Sequence, residues 1–462
     1  MRLWSKLLFV IVVAAFGCVG VAGNLSQSAG AEIAFTNVSV APMDSDRVLE
    51  GQTVVVRGDR IVQVGAANKV KVAEGATRID GTGKFLMPGF AEMHGHIPPP
   101  QAPKEFVETV LFLYVANGVT TVRGMLGAPN QLELRGKASR GEIVSPTLYL
   151  AGPSFSGGSI ESPAQATQRV HDQKKEGWDL LKIHPGLTRE EYDAVAKTAK
   201  ETGMRFAGHV PAEVGLVHAL EMGQETIDHV DGYIEHLKAE DGPVDEARLA
   251  DIVRRTKQAG AWVVPTMVLW EVIIGAVDLQ TVMAFPELKY MPPQQVENWK
   301  NAHNGRLNHP QFNRKKSEQI AVNRNRVLKA LHDGGVKVLF GTDSPQQFSV
   351  PGFSIHREIS HMLKCGISPY EILRSGTRNV GDYFKDKDKF GTVAVGSRAD
   401  LVLVNGNPLK DISNFGKRSG VMVRGKWFSE EEIQQRLSKI AGSYLVSPLI
   451  NKDKVSGIND RR

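Results

Sequence analysis

Cysteine is almost missing from this chain: 462 residues contain two, Cys18 and Cys365, and the first lies in an N-terminal leader. A disulfide framework is thereby excluded, so the mature fold has to rest on core packing, with or without a metal. Long apolar runs are also missing. Beyond the leader nothing approaches the roughly 20 consecutive apolar residues of a membrane-spanning helix, so no span is expected in the mature form. There is no basic stripe either. Lysines and arginines are scattered, apart from a cluster at Arg314-Lys315-Lys316 that reads as a solvated face. The formal charge of +6 falls to about +4 without Arg2 and Lys6, and no nucleic-acid partner is expected. With 42% hydrophobic and 23% charged residues the composition is that of ordinary globular protein, neither disordered nor fibrous. The length exceeds one ordinary compact core, although a barrel enzyme can fill much of it as one domain.

What is present begins with Arg2 and Lys6, the apolar run Leu7 to Phe16, and then small residues including Ala29-Gly30-Ala31. Residues 1–31 read as a cleaved signal peptide, which implies a secreted or periplasmic protein. Lipoprotein processing at Cys18 is the alternative, and Ala15-Phe16-Gly17 before it is a poor match.

From residue 32 to 85, short β-rich runs at Val38-Ser39-Val40, Gln52 to Val56 and Ile61 to Val64 alternate with Gly and Asp turns. A similar pattern returns at Gly391 to Val395, Leu401 to Val404 and Gly420 to Arg424, within residues 389–428. Each flank alone has too few strands to bury a face, so the two are expected to meet in one small β-sandwich. Residues 429–462 follow as a C-terminal helix and tail.

Between the flanks, residues 86–388 alternate strand-like and helical patterns. Strands are expected at Gly89 to His94, Thr120 to Arg123, Thr147 to Ala151, Leu180 to Ile183, Arg205 to His209, Thr226 to His229, Trp262 to Pro265 and Val338 to Gly341. Eight strands spaced by helices predict an α/β fold, a (β/α)8 TIM barrel. Thr188 and Glu191 form a capping-box pattern ahead of the stripe Tyr192, Val195, Ala196 and Ala199, and Ser368-Pro369-Tyr370-Glu371 opens another helix. A doubly wound sheet is disfavoured because no Gly-x-Gly-x-x-Gly turn follows the first strand. Residues 271–317 break the alternation. They are rich in Pro, Asn and basic residues and carry Phe285, Tyr290, Trp299 and Phe312. A lid or substrate-facing insertion and a functionless surface excursion both fit.

Met87 to His96 delivers His94 and His96 one residue apart, and in a strand alternate side chains share a face. Alone, the pair is either half of a metal site or two satisfied surface histidines. Other strand ends carry Lys182, His209, His229 and Asp343. Donors from separate strands at one rim would form a metal site that folding assembles.

Met87 to His96, Gly118 to Arg123, Leu180 to Ile183, Thr226 to His229, Phe340 to Asp343 and Gly396 to Leu403 occur in an order that resembles the amidohydrolase superfamily. The likeness is to its imidazolonepropionase-like and Xaa-Pro dipeptidase (prolidase-like) branch. The resemblance implies a hydrolase with two divalent metals, usually Zn2+. It implies His94 and His96 on the more buried metal, His209 and His229 on the other, Asp343 completing the set, and Lys182 carboxylated to bridge them. By the same likeness Asp343 moves the proton of a metal-activated hydroxide, and the substrate is a small molecule or short peptide split at a C–N amide or peptide bond. A cyclic amide, lactone or phosphotriester is the enzymatic alternative, and a non-catalytic binding protein the alternative of another class. His184, two residues after Lys182, and His236 are candidate substrate groups, each equally readable as an ordinary loop or helix histidine. Val210-Pro211 after His209 departs from relatives that carry a polar residue there. Assembly into a homo-oligomer stays open.

Overall fold

The computed structural model describes residues 32–445. The expected signal segment, residues 1–31, and the tail beyond 445 lie outside the described residues. Five strands come from the first flank: β1 Glu32–Val40, β2 Leu49–Arg57, β3 Arg60–Ala66, β4 Thr77–Asp80 and β5 Phe85–Pro88. Seven belong to the central region: β6 Phe90–Gly95, β7 Val119–Gly124, β8 Thr147–Leu150, β9 Leu181–Ile183, β10 Phe206–Gly208, β11 Thr226–Asp228 and β12 Trp262–Val264. Three close the chain: β13 Leu401–Val404, β14 Arg418–Val423 and β15 Lys426–Ser429, before the helix Glu430–Leu445.

The two flanks meet in one mixed eight-stranded sheet, ordered β15-β14-β13-β5-β1-β2-β3 with β4 on β1. The seam is the antiparallel pair β5 and β13, from Phe85 opposite Val404 to Pro88 opposite Leu401. The sheet folds over its apolar side, because Ile61 N–H donates to Ser397 O and Ala399 N–H to Asp59 O. Phe35, Val38, Val54, Leu86, Leu401, Leu403 and Met422 fill the space so enclosed. Residues 86–88, expected in the central region, thus run in the flank sheet. Gly391 to Val395 is no strand: glycines with φ of 81° and 83° sit at 391 and 396, and isolated bonds from Val393 N–H to Pro42 O and from the following Gly396 N–H to Ile61 O replace a ladder.

In the centre, β6-β7-β8 and β9-β10-β11-β12 are parallel sheets. A bridge from Ala151 to Leu180 joins them. The expected eighth strand, Val338 to Gly341, touches both outer edges, bridging Val263 and accepting from Met93 N–H at Phe340 O, 2.8 Å. The circuit of hydrogen bonds therefore returns to β6, in a TIM-barrel-type α/β arrangement. This last segment does not ladder as a strand because its other backbone groups are taken: Asn379 donates to Val338 O at 2.9 Å, and Phe340 N–H donates to Ser375 O at 3.1 Å. Thr188 and Ser368 cap their helices, and the reciprocal Glu191 contact completes a capping box.

Residues 271–317 are mostly helical, including Leu279–Met283 and Pro293–Leu307. They dock on the body through Leu288, Tyr290 and Trp299, which share an apolar cluster with Phe112, Phe348, Val350 and Ile433. Phe285 is stacked on the Arg357 guanidinium at 3.3 Å. The segment is a packed layer behind the loop that follows Asp343. Arg314 and Lys316 of the basic cluster pair with Asp278 and Asp241. Among the described residues no helix is long and apolar enough to cross a membrane.

One buried carboxyl ties this layer together. Glu358, on the helix Ser354–Lys364, accepts the first N–H groups of the helix Met267–Ile273, from Met267 at 2.8 Å and Val268 at 2.9 Å. Burial pushes its pKa from 4.5 up to about 7, with Glu271 adding to the rise and Arg324 opposing it. The folded state therefore holds the proton more tightly than the unfolded chain. The stability this group contributes is complete below its unfolded value and is lost as pH rises through about 7. Glu358→Gln should accordingly gain stability relative to wild type between about pH 5 and about pH 8, measured by thermal melts. A difference that stays constant with pH would refute this account.

Candidate metal centre

Of the six strand-end candidates, the structure brings donor atoms of His94, His96 and Asp343 together and sets His229, His209 and Lys182 beside them. His96 Nε2 lies 2.6 Å from Asp343 Oδ1 and His94 Nε2 lies 3.7 Å from the same oxygen. One donor atom from each of His94, His96 and Asp343 falls within 4.8 Å of the others, a spacing one cation could span. The His229 ring lies tilted 4.3 Å from that of His94 and 4.5 Å from that of His209, and Lys182 Nζ approaches His94 Nε2 at 3.0 Å.

The second nitrogen of three of the rings explains their orientation. His94 Nδ1 meets Asp228 Oδ2 at 2.7 Å, His209 Nδ1 meets Asp231 Oδ2 at 2.5 Å, and His229 Nδ1 meets Thr266 Oγ1 at 2.8 Å. An oxygen behind Nδ1 sets the tautomer that presents Nε2 as a lone pair, the usual support of a metal-ligating histidine. Among the described residues His229 Nε2 is buried and has no hydrogen-bond partner. Such a group costs about 1–3 kcal/mol, a cost that a metal bound at that nitrogen would remove. Burial, the Lys182 charge and neighbouring imidazoles hold His94 well below its ordinary pKa, and burial with His94 and His209 does the same for His229. Neutral imidazole is the ligating form. Burial lowers the Lys182 amine to about 8 against the opposing pull of Asp228 and Asp343. His94, His96 and Asp343 therefore fit a divalent cation, with His209, His229 and Lys182 adjoining them.

Several features of the centre had no sequence signal. The β6 to β7 ladder slips between Glu92 and Gly95, so a bulge, and not strand alternation alone, aims the two histidines. Asp343, His229 and Thr266 have φ of 61°, 62° and 45°, in the left-handed region, at about 1–3 kcal/mol each. Glu92, fully buried, locks the first of these: it accepts from His94 N–H at 3.1 Å, Thr342 N–H at 2.7 Å and the Thr342 hydroxyl. Gly341 makes that approach possible, since a Cβ there would lie 3.0 Å from His94 N. Gly208, with φ of 128°, likewise lets the chain pass Lys182 and Ile183. Arg123 and Asp228 were also missed as partners, although Asp228 is adjacent to His229 in the chain.

His184 lies beside the centre, its ring 5.0 Å from His209. The structure does not bring His236 there. It sits on the helix Tyr233–Leu237, where its charged neighbours are Arg248, Arg255 and Asp251 of the helix Glu246–Ala259.

Residues 85–428 match the sequence profile of the Amidohydrolase family. Adenine deaminase from Bacillus licheniformis is 22% identical over 438 residues, covering 92% of this chain and 63% of its own. The chain spans less than two thirds of the length of the curated relatives it matches. Bottromycin amidohydrolase shares the fold with a TM-score of 0.72 at 22% identity, over 89% of this chain and 90% of that one. A Xaa-Pro dipeptidase with methionine bound in its active site does so with a TM-score of 0.65 at 20% identity, over 86% of this chain and 100% of that one.

The Glu92 clamp yields a test. Glu92→Ala should weaken divalent-metal affinity by roughly tenfold or more, measured by isothermal titration. Glu92→Gln should retain most of it, because an amide oxygen accepts both backbone N–H groups and the amide nitrogen can donate to Thr342 Oγ1. Equal losses in both would mean that charge, not geometry, is what Glu92 supplies.

Proposed function

The chain belongs to the amidohydrolase family, and we propose accordingly that it is a metal-dependent hydrolase cleaving the C–N amide or peptide bond of a dipeptide or N-acyl amino acid. The carrying observation is the donor set, with His94, His209 and His229 each backed by an oxygen at Nδ1 and with Nε2 of His229 buried and unpartnered. In this reading His94 and His96 hold one divalent ion, His209 and His229 a second, and Asp343 completes the set, Zn2+ being the ion expected. Such ions, when bound, supply Lewis acidity to the electrophile and acidify the attacking water.

The chain's own groups do the rest. Asp343 is fixed by His96 at Oδ1, while Oδ2 lies 3.7 Å from His229 Nδ1. Its carboxylate accepts a proton from the attacking water and returns it to the leaving nitrogen. Lys182 as an ammonium would repel two cations. Addition of carbon dioxide to its neutral amine forms an N–C bond, releases a proton and leaves a carbamate anion whose two oxygens can face both metal positions. His184, beside His209, is the side chain we assign to the substrate side.

The adenine deaminase relative supports a second reading on the same donors, hydrolytic deamination of a nucleobase. Cyclic amides, lactones and phosphotriesters are other electrophiles suited to it. Metal analysis of the purified protein should find close to two divalent ions per chain. Asp343→Asn should keep them while kcat falls about 100- to 10,000-fold, and full activity in that variant would remove Asp343 as proton carrier. Lys182→Ala should lower the metal content, and unchanged occupancy would refute the carbamate. A hydrolysis screen over dipeptides, N-acyl amino acids, lactones and adenine separates the substrate readings, and turnover of none would favour a binding protein.

A further inference from the structure

The metal centre stands at one end of an unbroken run of polar contacts that crosses the barrel interior. His94 Nδ1 meets Asp228, and one terminal nitrogen of Arg123 lies 3.1 and 3.2 Å from the two oxygens of Asp228. The other terminal nitrogen of Arg123 donates to the Tyr383 hydroxyl at 3.2 Å, and that hydroxyl donates to Glu225 Oε2 at 3.0 Å. Arg205 ends the run, its Nε 2.7 and 2.8 Å from the Glu225 oxygens and its guanidinium 4.0 Å over the Tyr383 ring.

The run joins opposite faces of the barrel. His94 and Asp228 lie at the C-terminal ends of β6 and β11, whereas Arg205 and Glu225 immediately precede β10 and β11. Arg123 and Asp228 are fully buried, while the side chains of Arg205 and Glu225 keep 18% and 34% exposure. Barrel interiors are ordinarily filled by layers of branched apolar side chains. Buried charges in their place cost desolvation that complete pairing at best offsets, and an apolar filling is often as stable. Here every member is paired, with Asp228, Arg123, Glu225 and Arg205 alternating in sign and the Tyr383 hydroxyl linking the two halves, while Arg123 is also held by Met93 O at 2.6 Å and by the Thr226 hydroxyl at 3.2 Å. Stability alone does not account for such a chain, and its inner end terminates on the nitrogen that sets the His94 tautomer.

We infer that Tyr383 and Glu225 are remote positioning residues for the metal centre: they fix the Arg123 guanidinium, which orients Asp228, which holds His94 with Nε2 turned to the metal. The inference rests on the metal-dependent reading above. It makes the N-terminal face of the barrel a place from which metal affinity is set, without contact to metal or substrate.

The test is a double-mutant cycle read as zinc affinity of the full chain, by competition with a chromophoric chelator. Asp228→Asn should weaken binding about 10- to 100-fold. Tyr383→Phe, which keeps the ring and removes the hydroxyl, should weaken it about 2- to 30-fold. The double variant should bind about as well as Asp228→Asn alone, because the altered Asp228 no longer transmits what Tyr383 fixes. Tyr233→Phe, which removes an equally buried hydroxyl bonded to Thr256, should leave affinity unchanged. Wild-type affinity in Tyr383→Phe, or losses that multiply in the double variant, would overturn the inference while leaving the metal centre intact. A wild-type chain that binds no zinc would overturn both. If Tyr383→Phe does not fold, Glu225→Gln at the part-exposed end takes its place in the cycle, with weaker binding expected and an unchanged value counting against the inference.

Discussion

The buried carboxylate of Asp228 is the constraint on which the rest of the centre depends. It lies in the barrel interior with no exposure to water, so each of its oxygens needs a donor. Arg123, from β7, supplies charge, Thr226 supplies a hydroxyl at 2.5 Å, and His94, from β6, supplies the third contact. Three strands are thus brought into register around one group. Removing a partner would leave a buried charge uncompensated, at about 3–5 kcal/mol. Both the closure of the barrel interior and the orientation of His94 follow from satisfying the same carboxylate.

The strained residues sit around this anchor. Left-handed backbone at His229, Thr266 and Asp343 persists only because neighbours over-determine it. Glu92 holds the Asp343 turn from one side, and the docked layer of residues 271–317 backs the following loop through Trp299 and Phe348. Arg324 donates to the His229 carbonyl and stacks on Trp270, whose ring lies 5.6 Å from His229. The centre is therefore preorganised by its surroundings, which is what a site that exerts electrostatic control requires.

Much of this was legible in the residues, for a physical reason. Strand runs, the capping box at Thr188 and the strand-end candidate donors are local patterns, and a barrel turns strand order into one common rim. Partner choice is not local. Nothing near Arg123 announces Tyr383, and Glu92 reads as one polar residue in an apolar run although it clamps Thr342. The expected eighth strand, Val338 to Gly341, does bond Val263 and Met93 on its two sides, but it forms no continuous ladder because Val338 O and Phe340 N–H are engaged by Asn379 and Ser375, partners distant in the chain. The run Gly391 to Val395 carries the β-branched residues of a strand, but the left-handed glycines at 391 and 396 bound it too closely for a ladder. His236 shared only its residue type with the centre.

The seam between β5 and β13 pairs residues more than three hundred positions apart, Pro88 with Leu401. β5 runs directly into β6, the strand that carries His94 and His96. During synthesis that edge lacks its β13 partner until Leu401–Val404 has emerged, after all six candidate donors have been made. Completion of the fold is thus coupled to arrival of the C-terminal strands, and a nascent or truncated chain would present an open β edge beside a half-built centre. The β13 hairpin acts as a late latch on assembly, and chains that stall before it are the ones that chaperones and proteases would have to handle.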